Sequence, residues 1–393
     1  MRAAGIIAEY NPFHNGHERH IRETRLRTGC EFVIVAMNGS VSQRGEMMIA
    51  DKWTRAEMAL RGGADIVVEL PVLWGARPAE NFAAGGTAIL YALGCEWLSF
   101  GCETEDLDLL RRICDVLEEE GPEYKEHLRR ALAEGKSFAR ARGEALAALT
   151  GTDGELLSAP NAALALEYMR SLHRLGSEMK PVAVMRGASH HATEIARETS
   201  ASAIRRAILE MRPETAAEAM PEEAYSLLRE RAGSVPDQKS QDVAMLMALR
   251  GMKQEEIAGL PDVAEGLENS LYKACREAGT REEMLAQIKS KRYTYARLSR
   301  IAAHAMIGTD RGLADSVPLP RYARLLGVKK SAFGALAQLQ KNSALPIIDR
   351  GKALAGDGVF ELERRATDLR ALLSRDPAFR AADADLTHRL VVV

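Results

Sequence analysis

The chain has 393 residues, 46% of them apolar and 27% charged, a balance that suits two or three folded domains and excludes a disordered tail, a collagen-like repeat or a disulfide-stapled mini-protein. Its 53 Lys and Arg against 55 Asp and Glu leave a net charge of −2, which confines any nucleic-acid binding to a local patch. Five scattered cysteines without a CxxC pair point to free thiols in a reducing compartment rather than to disulfides or zinc. No run approaches a membrane span and the first residues do not read as a secretion signal, so the cytoplasm is the expected location.

Over the first 210 residues, strand and helix patterns alternate. Strands are expected at 3–8, 32–37, 66–70, 97–100 and 182–185. Helices are expected at 16–27, 51–61, 81–93, 161–175 and 201–210. Short apolar runs separated by helical patterns indicate βαβ units on a parallel sheet, a Rossmann-like α/β fold. A charged, wholly helical stretch at about 105–150 reads as an insertion into it. Residues 1–212 therefore form the expected catalytic domain. Pro213, an acidic PEEA and a polar stretch follow, and residues 213–393 read as a mainly α-helical second domain with few strand candidates.

The chemistry is concentrated where the first strand ends, in Glu9-Tyr10-Asn11-Pro12-Phe13-His14-Asn15-Gly16-His17. A strand that turns into a helix offers free backbone N–H groups and a helix dipole to an anion. Gly16 allows close approach of a phosphate. His14 and His17 can together donate to an α-phosphorus under attack and to departing pyrophosphate. A lone HxGH can also be a capped helix start, but its place after the first of several strands favours ligand binding. A second constellation, Ser200-Ala201-Ser202-Ala203-Ile204-Arg205, opens a late helix, where Ser200, Ser202 and Arg205 can hold a β- or γ-phosphate.

The two motifs together resemble the HIGH-type nucleotidylyltransferase superfamily. The longer pattern is narrower: GIIAEYNPFHNGH, Gln43-Arg44-Gly45, Asp51-Lys52-Trp53-Thr54-Arg55-Ala56, Gly63-Ala64-Asp65, Glu69-Leu70-Pro71 and Phe100-Gly101 resemble the bacterial tRNA(Met) cytidine acetate ligase family. The resemblance is dense over residues 1–205 and weaker beyond. It implies an enzyme that makes acetyl-adenylate from ATP and acetate, with Mg²⁺, and acetylates N4 of the wobble cytidine of elongator tRNA(Met). It also implies an ATP-binding stretch from Ile7 through Ala8 to His20, joined by Gly101, Asn161 and Arg186. The sequence departs from the family pattern at Ser40 to Ser42 and at Met47-Met48, beside the QRG turn.

Arg44, Lys52 and Arg55 are either an electropositive collar for acetate, pyrophosphate or RNA, or a solvated helix face; Lys52 is placed with His14 and His17 as catalytic. His190-His191 is a phosphate contact or a plain loop, and no metal site is assigned. The segment from Lys289 to Arg300 carries five basic residues, no acid and two tyrosines, and is the candidate RNA contact through Lys289, Lys291, Arg292, Tyr293 and Arg297. No membrane or DNA partner is expected. Two alternatives stay open: a nucleotidyltransferase acting on a small metabolite, and a nucleotide-regulated RNA-binding protein.

Overall fold

The structure, a computed structural model, describes residues 1–152, 156–157, 159–186, 200–290 and 292–393. Its centre is one sheet with the strand order β5-β4-β1-β2-β3-β6-β7, and β8 beside β6. The strands are β1 (Ala3–Ala8), β2 (Phe32–Asn38), β3 (Ile66–Leu70), β4 (Trp97–Cys102), β5 (Lys180–Met185), β6 (Ala323–Val328), β7 (Ile347–Ile348) and β8 (Val391–Val392). The first five are mutually parallel, as the alternation of patterns predicts. Both faces are apolar because helices cover both. Along β2, Ile34 and Ala36 join one buried cluster, while Val33, Val35 and Met37 join the other.

The chain runs β1 to β2 to β3 in one direction, then returns to place β4 on the other side of β1. That reversal opens a crevice at the carboxyl ends of β1 and β4, the usual ligand position in an open α/β sheet. Helix α1 (Asn15–Thr28) follows β1, and α2 (Lys52–Arg61) precedes β3. The insertion consists of three helices, Leu107–Glu119, Pro122–Ala133 and Phe138–Thr150. All five cysteines are free and buried. Among the described residues, no helix is long and apolar enough to cross a membrane.

Residues beyond 212 are mainly helical, yet they also supply three strands of the same sheet. β6 pairs antiparallel with β3, covering an edge that β1–β5 alone would leave open. The sequence hides this strand, since Ala323–Val328 is a short run holding an arginine. The whole strand is nevertheless buried, Arg324 included, because Glu69 and Asp385 neutralise the guanidinium.

Candidate active site

After β1 the backbone turns sharply at Tyr10, whose φ is 49°, and buries Asn11, Pro12 and Phe13 before α1 starts. His14 caps α1: its Nδ1 accepts from the Gly16 N–H at 3.0 Å. His17 answers from the first turn, its Nδ1 accepting from the His14 N–H at 3.2 Å. Both Nδ1 atoms are therefore unprotonated, and in a neutral ring the proton sits on Nε2. Burial, followed by the positive charges of Arg186 and Arg205, pushes His14 down to about 3. Burial, then His14 and Arg186, pushes His17 well below its ordinary value. The pair thus presents two neutral Nε2–H donors, and among the described residues the buried His14 Nε2 has no partner. An orphaned donor in such a place awaits an acceptor.

Gly16 has a role beyond phosphate access. A Cβ there would lie 2.8 Å from His14 Cε1, so only glycine lets the ring fold over the helix start. Around this turn, Tyr10 packs against Phe13 and His17 with ring centroids 4.9 and 4.8 Å away. Asn11 accepts from the Ile49 N–H through its side chain and from Arg205 Nη1 through its carbonyl, at 3.0 and 2.9 Å. Arg205 also donates to Ser202 Oγ at 3.1 Å, while Ser200 caps the Ala201–Leu209 helix. The late S-x-S-x-I-R motif is thereby tied directly to the HxGH turn. Asn15 donates to the Glu218 carbonyl, and His20 bonds Ser99 on β4 at 3.0 Å, which makes His20 a fastening between α1 and the sheet.

On the other side of the crevice, Arg186 donates to Asn161 Oδ1 at 2.9 Å and Asn161 donates to Glu103 Oε1 at 2.6 Å. A Cβ on Gly101 would lie 3.2 Å from Arg186 Cγ, so Gly101, Asn161 and Arg186 form one cluster at the ends of β4 and β5. Glu103, its acidic member, has no signature in the sequence, since a lone Glu after a strand gives no signal.

A model of the HIGH nucleotidyl transferase family matches residues 1–385. The tRNA(Met) cytidine acetate ligase of Caldanaerobacter subterraneus subsp. tengcongensis is 35% identical, with 100% of each chain covered. That of Clostridium perfringens is 34% identical over 95% of this chain and 96% of its own. The chain belongs to the tRNA(Met) cytidine acetate ligase family. The crystal structure of Thermotoga maritima TmcAL bound with alpha-thio ATP superposes with a TM-score of 0.90 at 28% identity, covering 100% of both chains. The apo form gives 0.92 at 29% identity, again over 100% of both chains.

Against the rest of the family pattern, the structure separates residues that adjoin in sequence. Lys52 is not brought to the histidines. It is wholly buried, 2.5 Å from Glu69, 2.7 Å from Asp385 and 3.2 Å from Glu363, with Arg324 completing the cluster. A side chain enclosed by three carboxylates cannot reach a substrate, which corrects the expectation of a catalytic Lys52. Arg55 is no collar either. Its buried guanidinium holds the carbonyls of Glu9, Asn38 and Gly39, fixing the carboxyl ends of β1 and β2 together. Arg44 alone of the three is exposed.

The basic segment is also less free than its composition suggests. Arg292 pairs with Glu265, Arg297 donates to the Asp262 carbonyl, and Arg300 is buried against Asp262. Tyr293 is half-buried, with the Arg292 and Arg297 guanidinium groups 5.7 and 5.4 Å from its ring centroid. The acids come from a distant stretch that a local window does not include. Lys289 is exposed, whereas Lys291, His190 and His191 lie outside the described residues. An apolar cavity of about 390 Å³ opens among Ile208, Tyr225, Leu228 and Val235, at the end of the Ala201–Leu209 helix remote from Ser200, and holds none of the donors described above.

Proposed function

We propose that this protein activates acetate with ATP and transfers the acetyl group to N4 of the wobble cytidine of elongator tRNA(Met). The observation that carries the reading is the pair of neutral imidazoles at the β1–α1 turn, with the His14 Nε2–H buried and, among the described residues, unpartnered. The relatives' names supply the substrates.

In the first step a carboxylate oxygen of acetate attacks the α-phosphorus, forming the acyl phosphate bond as the bond to pyrophosphate breaks. His14 and His17 donate to the α-phosphoryl oxygens and to the departing pyrophosphate, where negative charge develops. With each Nδ1 accepting a backbone N–H, the one ring proton sits on Nε2 and is the donor each imidazole offers. Ile7 to His17 and the α1 N-terminus cradle the phosphates, with Ser200, Ser202 and Arg205 on one side and Gly101, Asn161 and Arg186 on the other. Among the described residues no group of three or more His, Cys, Asp or Glu side chains is arranged for a metal, so no protein ligand set is assigned to Mg²⁺. In the second step the cytidine N4 amine attacks the acetyl carbonyl, AMP leaves with the bonding pair, and the amine proton passes to solvent. The wobble base has to be unstacked for this, a demand that a second, RNA-binding region meets.

The test is ATP–pyrophosphate exchange with and without acetate, then acetylation with tRNA(Met) added. Acetate-dependent exchange followed by N4-acetylcytidine in the tRNA is the expected result. Exchange that ignores acetate and responds to a small metabolite would replace the ligase reading.

A further inference from the structure

The QRG sequence forms the tip of a short hairpin at residues 40–48. Val41 bridges Met47, the Ser42 N–H donates to the Glu46 carbonyl at 2.8 Å, and the Met48 N–H donates to the Ser40 carbonyl at 3.0 Å. Every neighbour of Arg44 at this tip is anchored. The Gln43 N–H donates to Glu9 Oε1 at 2.6 Å and Gln43 Nε2 donates to the Arg77 carbonyl at 3.0 Å, which ties the tip to the end of β1. Gly45, at φ +75°, lies flat on the Tyr295–Ile307 helix; a Cβ there would come within 2.5 Å of the Arg300 nitrogen. Glu46 faces Arg205 at 3.8 Å. The hairpin thus bridges the HxGH strand, the S-x-S-x-I-R arginine and the helix that carries the second half of the basic segment.

Arg44 is different from all of these. It is exposed and makes no hydrogen bond or ion pair with any described residue. The hairpin is fastened on both sides while the Arg44 side chain stays free in solvent, so its rotamer freedom is lost only when a ligand takes it. Three cations near the hairpin or in the basic segment have partners within the chain: Arg292 a surface pair with Glu265, Arg300 with Asp262, Arg205 with Asn11 and Ser202.

We propose that Arg44 contacts a phosphate of the acceptor RNA and, through the anchored hairpin, sets the RNA backbone against the nucleotide site. The inference rests on the tRNA reading given above. An RNA phosphate suits a flexible, solvated guanidinium whose neighbours are spent on rigidity. It also places an RNA contact on the catalytic half of the chain, next to the end of the basic segment, where Ser299 and Arg300 meet the hairpin at Gly45 and Gln43.

The experiment uses the full chain with R44A and R44K and measures tRNA(Met) binding across a salt series, acetylation kinetics, acetate-dependent exchange and melting temperature. One lost phosphate contact lowers the slope of log K against log salt by about 0.7 to 0.9. The expected result is that loss in R44A, with a several-fold higher KM for tRNA, a slope restored in R44K, and exchange and melting temperature as in the wild type. An unchanged slope in R44A, or a defect confined to exchange, overturns the assignment; so does a wild type that does not bind tRNA. A wild type that binds tRNA without acetylating it sinks the proposed reaction while leaving the Arg44 result readable from the slope.

Discussion

His14 and His17 stack face to face with ring centroids 3.7 Å apart, each locked by a backbone N–H on its Nδ1. Two imidazoles this close cannot both be charged at little cost, and burial makes even one charge unfavourable. The consequence is a site whose donors do not titrate near neutrality. Adenylate formation should therefore show no break near pH 6.5, the ordinary histidine value. The check is the pH profile of kcat/KM for ATP–pyrophosphate exchange from pH 5.5 to 8. A loss with an apparent pKa near 6.5 that disappears in His14→Ala or His17→Ala would show that the imidazoles work charged.

The same geometry makes Gly16 a catalytic-site residue through its missing side chain. In Gly16→Ala the new Cβ, 2.8 Å from His14 Cε1, has to push the ring aside and cost α1 its cap. A displaced donor of this kind costs about 10²-fold in rate, against about 1 kcal/mol of stability for the cap. Exchange kinetics and denaturant unfolding on the same sample separate the two. A variant that keeps full exchange activity would mean that His14 does not depend on Gly16 for its position.

Much of this was legible in the sequence, for identifiable reasons. β1, β3 and the Ala201–Leu209 helix follow from local patterning, since each buries an apolar run whose period shows in a short window. The HxGH turn is local too, because cap, glycine and histidines lie within four residues. Lys52, Arg55 and Arg324 were not legible as buried. Their burial depends on Glu69, Glu363, Asp385 and the backbone carbonyls of Glu9, Asn38 and Gly39, assembled from places far apart in the chain. A charged residue reads as exposed until its counter-charges are in view. β6 escapes local patterning for the same reason, as Arg324 interrupts its apolar run.

The buried cluster makes a direct prediction for Lys52. Substituting Met leaves Glu69, Glu363 and Asp385 facing a single remaining cation, Arg324. Removing one partner from a buried ion pair costs about 3 to 5 kcal/mol. Lys52→Met should lower the denaturant midpoint sharply, with activity lost in proportion to folded protein. A variant as stable as the wild type but inactive would return Lys52 to the catalytic residues.

The cluster also makes stability depend on pH in a way that opposes the histidines. Burial, then the neighbouring Glu69, raises Glu363 to about 7 from an ordinary 4.5, against the pull of Lys52. Between those values the folded chain holds a proton that the unfolded chain has released, so this group's contribution to stability falls as pH rises. For Asp385 burial acts upward, but Lys52 and Arg324 outweigh it and hold the carboxyl at about 2, so its contribution is present above about 3.8 and is lost as pH falls toward 2. His14 and His20, pushed down to about 3 chiefly by burial, lose stability as pH falls from 6.5. Between about 4.5 and 6.5 the Glu363 and histidine contributions have opposite slopes. Glu363→Gln removes only the first, so its melting temperature should climb more steeply with pH across that window than that of the wild type. Thermal melts at half-unit steps from pH 4.5 to 7 measure this, and parallel curves for the two proteins would show that Glu363 does not carry the proton.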